Sequence, residues 1–544
     1  MREREAEPTK PAWLCGVALM LAALYVLFVD LDATPFDDSF FFKRIALNAL
    51  HGAGFSWNPS DGPVYGLTSQ LFGWLALPLT ALFPQHFVVA SKVLATLAFA
   101  AVVALTLRFA ARAHVNRRDA GLLVLFALGT PLTLLTLHTG METSVCLALI
   151  ALALSATEPV LCAVLTLLVY SCRPDAALIP ALAFIALERK NAGRAARYAL
   201  VLGVLLALSL AGFRAYYGSA LPLPFYAKTA GFSAFDGALR AAGLRDKLGH
   251  LTLFCAFAAP LAFIAWRGRS ARVSALLVTS LAFISYQALL TNEIMGYRAR
   301  FYLPALVPLT FAALLACARF RQRFTARSTV IASTVWLALL ALAFALRPHA
   351  PLDRVPWSAG VLVLFLGVLL GDQLRQRSWL SPRAATAASL SCLLAGTVLL
   401  RPPRRDLAAL DDGAFLRRAS AEVTTTRGLF EIARCMPGSH TLYHSEIGIP
   451  GLVLPAWRIV DWVGLMSKEL AQKRPPLDDY CLRDRPEVLF LPHKTYRALN
   501  AEIRASRCLN GYTLMVQDSS SPLYVRNDLS ASFNACRRDP WRVK

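Results

Sequence analysis

Charge is almost missing from the long apolar stretches of this 544-residue chain. Apart from Lys92, near the outer end of its segment, no Asp, Glu, Lys or Arg interrupts the middle of a hydrophobic run between Pro11 and Leu400. Ion-coupled transporters need ionisable groups near the bilayer midplane, so this absence argues against a transport path. Acidic residues are scarce as well, 34 against 56 Lys and Arg, for a formal net charge of +22. No Cys/His spacing of a zinc site occurs. Nor does a small-x-small cleavage site follow the first apolar run, Pro11 to Val29, before Asp30-Leu31-Asp32. That run reads as an uncleaved first span.

What is present is grease with ordered charge. Hydrophobic residues make up 56% of the chain and the mean hydropathy is +0.49, which excludes an ordinary soluble domain. The basic excess invites a nucleic-acid reading that its distribution dismisses. Arg and Lys gather in short loops: Arg108 to Arg118, Arg189 to Arg197, Arg267 to Arg272, Arg319 to Arg327 and Arg375 to Arg383. With Arg2, Arg4 and Lys10 they mark the cytoplasmic side of the membrane and contact anionic lipid.

Apolar segments can be drawn as about thirteen crossings. They lie near 11–30, 86–108, 121–138, 142–156, 159–171, 175–188, 197–214, 249–266, 273–291, 299–318, 329–346, 357–373 and 385–400. A cytoplasmic N-terminus then puts every basic cluster inside. Residues 401–544, which mix charge, Pro and short apolar stretches, fall outside. The expected fold is a polytopic α-helical membrane domain, 1–400, carrying an extracytoplasmic α/β domain, 401–544. Leu67 to Phe83 reads as a membrane-dipping element on the outer side, since a crossing there would invert the Arg108–Arg118 cluster. Four of the eleven cysteines, Cys435, Cys481, Cys508 and Cys536, lie in the outer domain. They permit two disulfides in any of three pairings, or free thiols.

The chemistry gathers in the first outer loop, 31–66. Asp37-Asp38 places two carboxylates at a membrane surface, which is costly without a purpose. A helix starting there puts Asp37, Arg44, Asn48 and His51 on one face and Phe40, Phe42, Ile45 and Leu50 on the other, suiting a helix in the interface plane. A carboxylate there could act as a base on a hydroxyl, with Arg44 setting its ionisation. The plainer reading is an N-cap. The pair could also hold a divalent cation, although nothing in the chain requires a cofactor.

These residues form an ordered series. Asp37-Asp38, Phe40, Arg44, Asn48, Gly52, Gly54, Asn58-Pro59, Gly66, Thr68 and Ser69 are followed by Gly140-Met141-Glu142-Thr143, Arg173-Pro174-Asp175 and Tyr216-Tyr217-Gly218 with Tyr226 and Lys228. Arg300-Phe301 with Pro304, Ser445-Glu446-Ile447-Gly448, and Val460-Asp461 to Gly464-Leu465 complete it. The series resembles the GT-C glycosyltransferases, and most closely the cell-wall arabinofuranosyltransferase group. Asp175 and Glu446 exchange the usual Glu and Asp.

The resemblance implies a polyprenyl-phosphate sugar donor used on the outer face, a glycan or glycolipid acceptor, and Asp37 or Asp38 as catalytic carboxylate, with Asp37 favoured. Lys228, Arg298 and Arg300 are then candidates for the donor phosphate, which an Arg fork suits. For Arg300 the alternative is snorkelling to lipid headgroups. Arg44, Asn48, Asn58, Thr68, Glu142 and Tyr226 are candidate substrate contacts, although for Glu142, which would meet the acceptor sugar, a helix cap is the more common role. Arg173 reads as a brace paired to a carboxylate. Two other classes stay open: a flippase of lipid-linked saccharide, which would need a polar path through the spans, and a non-catalytic glycan-binding envelope protein.

Overall fold

A computed structural model of the chain describes residues 37–128, 133, 140–229, 238–290, 297–320, 411–422, 424–473, 475–492, 496–517 and 521–538. The expected spans at 11–30, 329–346, 357–373 and 385–400 lie outside the described residues, as does most of the outer half of 121–138.

Five described helices are long and apolar enough to cross a membrane: Phe87–Arg112, Ala192–Tyr217, Lys247–Arg267, Ala271–Leu290 and Ala299–Arg319. Other segments drawn as crossings are shorter. Thr143–Ser155 has 13 residues and Pro159–Cys172 has 14, while Pro174–Leu187 divides into a 3-10 turn and a ten-residue helix. At 1.5 Å per residue, each spans about 20 Å of a hydrocarbon core about 30 Å thick. Pro159 and Pro174 explain the breaks, because a residue without an amide hydrogen can open a helix but not continue one. Gln70–Leu82 has 13 residues and the same short reach.

Apolar side chains such as Phe99, Ile150, Phe254, Leu261 and Phe311 form the core between these helices. The C-terminal domain, the outer domain of the expected topology, is built on a five-stranded sheet: β1 (Thr441–His444), β2 (Arg458–Asp461), β3 (Val488–Phe490), β4 (Tyr512–Val516) and β5 (Leu523–Arg526). Its order is β2-β1-β3-β5-β4, parallel across β2-β1-β3 and antiparallel across β3-β5-β4. Val488, Leu489 and Phe490 are all buried, as a central strand covered on both faces requires. Cysteines pair as Cys435–Cys536 and Cys481–Cys508.

One expectation fails in an informative way. The Asp37–Leu50 helix has no wet face between Ser39 and Ala46. Phe40, Phe42 and Ile45 are buried, and so are Lys43 and Arg44 on other faces. The outer domain sits directly on it. Lys43 Nζ meets Asp412 Oδ2 at 2.6 Å, and Asp412 Oδ1 accepts from the Val88 amide at 3.0 Å, which ties loop, membrane helix and outer domain together. Asn58 covers the open edge of β2: its Nδ2 donates to Ile459 O and its Oδ1 accepts from Ile459 N, both at 3.0 Å. A side-chain amide thus replaces the missing neighbour strand.

Arg44 is the centre of this interface. Its Nε donates to Trp57 O at 2.9 Å, Nη1 to Gly451 O at 2.7 Å and Nη2 to Trp457 O at 2.9 Å. Arg44→Ala would leave these buried carbonyls without donors, at a cost of more than about 3 kcal/mol. We expect a lower melting temperature in detergent and faster proteolysis of the outer domain; an unchanged melting curve would contradict the interface.

Candidate active site

The loop and the outer domain meet over Asp37. Its carboxylate accepts from Gly448 N at 2.8 Å and Ile449 N at 2.6 Å, the first amides of the Gly448–Val453 helix. Asp37 therefore caps a helix in the other domain rather than its own. The approach demands glycine: a Cβ on Gly448 would stand 2.0 Å from the Asp37 carbonyl oxygen. The second outer motif works similarly. Asp461 accepts from Val463 N at 2.8 Å and Met466 N at 3.3 Å, which holds the turn that lays Met466 over Gly66. A Cβ there would fall 2.0 Å from the Met466 sulfur.

Asp38 is placed differently. It is half-buried, and its Oδ2 lies 3.9 Å from Arg300 Nη2. Arg300 also donates through Nη1 to the Met141 sulfur at 3.1 Å. Arg173 pairs with Asp175 through Nη2 at 2.8 Å and Nε at 3.3 Å, and Asp175 also accepts from Gln287. Phe301 lies beside both guanidiniums, 5.1 Å from Arg173 Cζ and 5.2 Å from Arg300 Cζ.

The remaining candidates divide. Arg44, Asn48 and Asn58 spend their donors on the protein's own groups rather than standing free for a substrate; Asn48 Nδ2 reaches Ser56 O and Trp57 O at 2.9 and 3.0 Å. Arg44 therefore does not set the ionisation of Asp37. Thr68 is exposed ahead of the Gln70–Leu82 helix. Tyr226 is half-buried on the Leu223–Thr229 helix, which packs against Lys468–Gln472 of the outer domain. Lys228 lies on that helix and Arg298 on the Tyr297–Ala305 segment; their side chains are outside the described residues.

Glu446 joins the site from the outer domain, where the sequence marks it only as a motif member. Burial, then the charges of Asp37, Asp38 and Asp461, push its carboxyl up to about 8. Burial likewise raises Asp37 to about 7 against the pull of the Ile449 and Gly448 amides, with Asp38 adding to the rise. Asp461 also rises to about 7 through burial, against its own amide donors. A divalent cation at the Asp37-Asp38 pair would compete with the Gly448 and Ile449 amides for the Asp37 oxygens. Among the described residues no three His, Cys, Asp or Glu groups are arranged to hold a metal.

No family model and no curated protein sequence matches the chain. Two solved structures do match in shape. ArnT from Cupriavidus metallidurans bound to undecaprenyl phosphate superposes with a TM-score of 0.58 at 11% identity, over 95% of this chain and 98% of that one. The same protein in its apo state gives 0.57 at 15% identity with equal coverage. The chain has a GT-C fold. At this identity the likeness concerns the GT-C architecture alone, and it spans the membrane helices and the outer sheet together.

The raised carboxyls have a pH consequence. Each group holds its proton more tightly folded than unfolded, where the ordinary values are 3.8 for Asp and 4.5 for Glu. The stability these groups contribute is therefore full below those values and is lost as pH climbs from there to about 7 to 8. Melting temperature in detergent should drop across this window, and Glu446→Gln should flatten the drop. A slope unchanged in the variant would mean that Glu446 is not a proton holder.

Proposed function

We propose that the chain is a GT-C glycosyltransferase of a bacterial inner membrane. It would move a sugar from a polyprenyl-phosphate donor to a glycan or glycolipid hydroxyl on the outer face. One observation carries this reading: a carboxylate pair beside the membrane helices, one member locked onto amides of the outer domain and the other facing Arg300. The fold shared with ArnT, a protein captured with undecaprenyl phosphate, supports the donor class. The ordered motifs resemble those of arabinofuranosyltransferases, which makes an arabinofuranosyl lipid the first donor to try.

The resemblance favours Asp37 as the base, and the geometry favours Asp38. Both Asp37 oxygens already accept amide hydrogens, whereas among the described residues Asp38 has a long ion pair to Arg300. In the proposed step Asp38 takes the proton of the acceptor hydroxyl. The hydroxyl oxygen bonds to the sugar's anomeric carbon as the bond from that carbon to the phosphate oxygen breaks. Polyprenyl phosphate leaves as a monoester, and its charge is met by Arg300, with Lys228 and Arg298 proposed beside it. Asp37 holds Asp38 in position through the outer domain.

Purified protein in lipid, given a panel of polyprenyl-phosphate sugars and candidate acceptors, tests this. Asp38→Asn should lower transfer by about 10²- to 10⁴-fold with the melting temperature kept. Asp37→Asn should lower both transfer and melting temperature. Equal transfer by Asp38→Asn and wild type would reject the assignment, and no transfer from any donor would reject the enzyme.

A further inference from the structure

Glu142 is the polar group the scheme above leaves unused. Gly140, at φ +62°, turns the chain so that Glu142 stands at the head of the Thr143–Ser155 helix. It occupies the N-cap position, but its side chain caps nothing there. The residue is only 9% exposed, and its Oε2 is buried with no hydrogen-bond partner among the described residues. Asp37, Asp412 and Asp461, by contrast, are each satisfied by amides or a lysine. A buried carboxylate oxygen without a donor is costly, and it persists where something absent from the free protein donates to it.

The surroundings narrow what that donor is. Arg173 feels the Glu142 charge, but its Nε and Nη2 donate to Asp175. Met141, the residue before Glu142, receives a hydrogen bond from Arg300, whose other terminal nitrogen faces Asp38. Glu142 is therefore one guanidinium removed from the proposed reaction centre. An anion placed before it would be repelled, so the phosphate itself is a poor occupant. A neutral hydroxyl is a good one. The sugar is bonded directly to the phosphate that Arg300 is proposed to hold, and a ring hydroxyl of that sugar would come within reach.

We propose that Glu142 reads the donor sugar, its Oε2 accepting a hydrogen bond from a ring hydroxyl, and so contributes to choosing which sugar-lipid is used. This rests on the transferase reading and deepens it.

Binding separates the two claims. Wild type, Glu142→Gln and Glu142→Ala in nanodiscs would be titrated with bare undecaprenyl phosphate and with a panel of undecaprenyl-phosphoryl pentoses and hexoses. Wild type should prefer one sugar-lipid over the bare lipid. Glu142→Ala should weaken that sugar-lipid by about 10- to 100-fold, Glu142→Gln by less, with bare-lipid affinity unchanged and the melting temperature not lowered. Equal weakening of bare and sugar lipids would make Glu142 a support for the guanidiniums and overturn the inference. Unchanged sugar-lipid affinity with a raised acceptor KM would overturn it too, by moving Glu142 to the acceptor. Wild type that binds the bare lipid but prefers no sugar-lipid would remove the sugar subsite alone. Wild type that binds no polyprenyl-phosphate lipid at all would remove the transferase reading and this inference together.

Discussion

The buried guanidinium of Arg44 is the constraint on which the architecture depends. A permanently charged group with 3% exposure has no water to bond, so its donors must find protein acceptors at fixed positions. Those acceptors are carbonyls of Gly451 and Trp457 in the outer domain and of Trp57 in its own loop. None can move without stranding the charge. The outer domain consequently behaves as a fixed wall of the first loop rather than a module on a tether, and Trp57 and Asn58 continue that wall along the edge of β2.

From this wall follows the unequal fate of two adjacent carboxylates. Neighbouring residues on a helix point about 100° apart, so one can be spent on holding the outer domain while the other faces the membrane helices. Asp37 meets the Gly448 and Ile449 amides, and Asp38 looks towards Arg300. The pair is thus a joint as well as a candidate reaction centre. Its position at the joint also explains why Glu446, contributed from the far side, feels the charges of both Asp37 and Asp38.

Much of this was legible in the residues. Apolar runs and basic clusters pointed to a membrane protein with a separate outer domain, and Asp37-Asp38 announced the helix they begin. The glycines at 66 and 448 stood in recognisable motifs, but their reason is steric and distant: each lies under a residue some 400 positions away, Met466 in one case and Asp37 in the other. No local pattern carries that information. Lys43 with Asp412, separated by 369 positions, is the same kind of fact. Arg44 and Asn58 misled in the opposite sense, because a polar residue in an outer loop reads as free for a ligand until the chain that covers it is placed.

Glu142 completes the contrast. By type and position it resembles the capping residues found at many helix starts, and the sequence offers no way to separate the two roles. Geometry does, since a cap is defined by the amides it accepts and Glu142 accepts none from its own helix. Arg44 and Asn58 looked open and are closed by protein; Glu142 looked structural and, among the described residues, is left with an oxygen to satisfy. For a site built where two domains meet a membrane, candidate ligands are better sought among buried groups whose hydrogen bonds remain unmade than among exposed ones. An exposed group is already served by water, whereas a buried unsatisfied one is stabilised only when something arrives to pair with it.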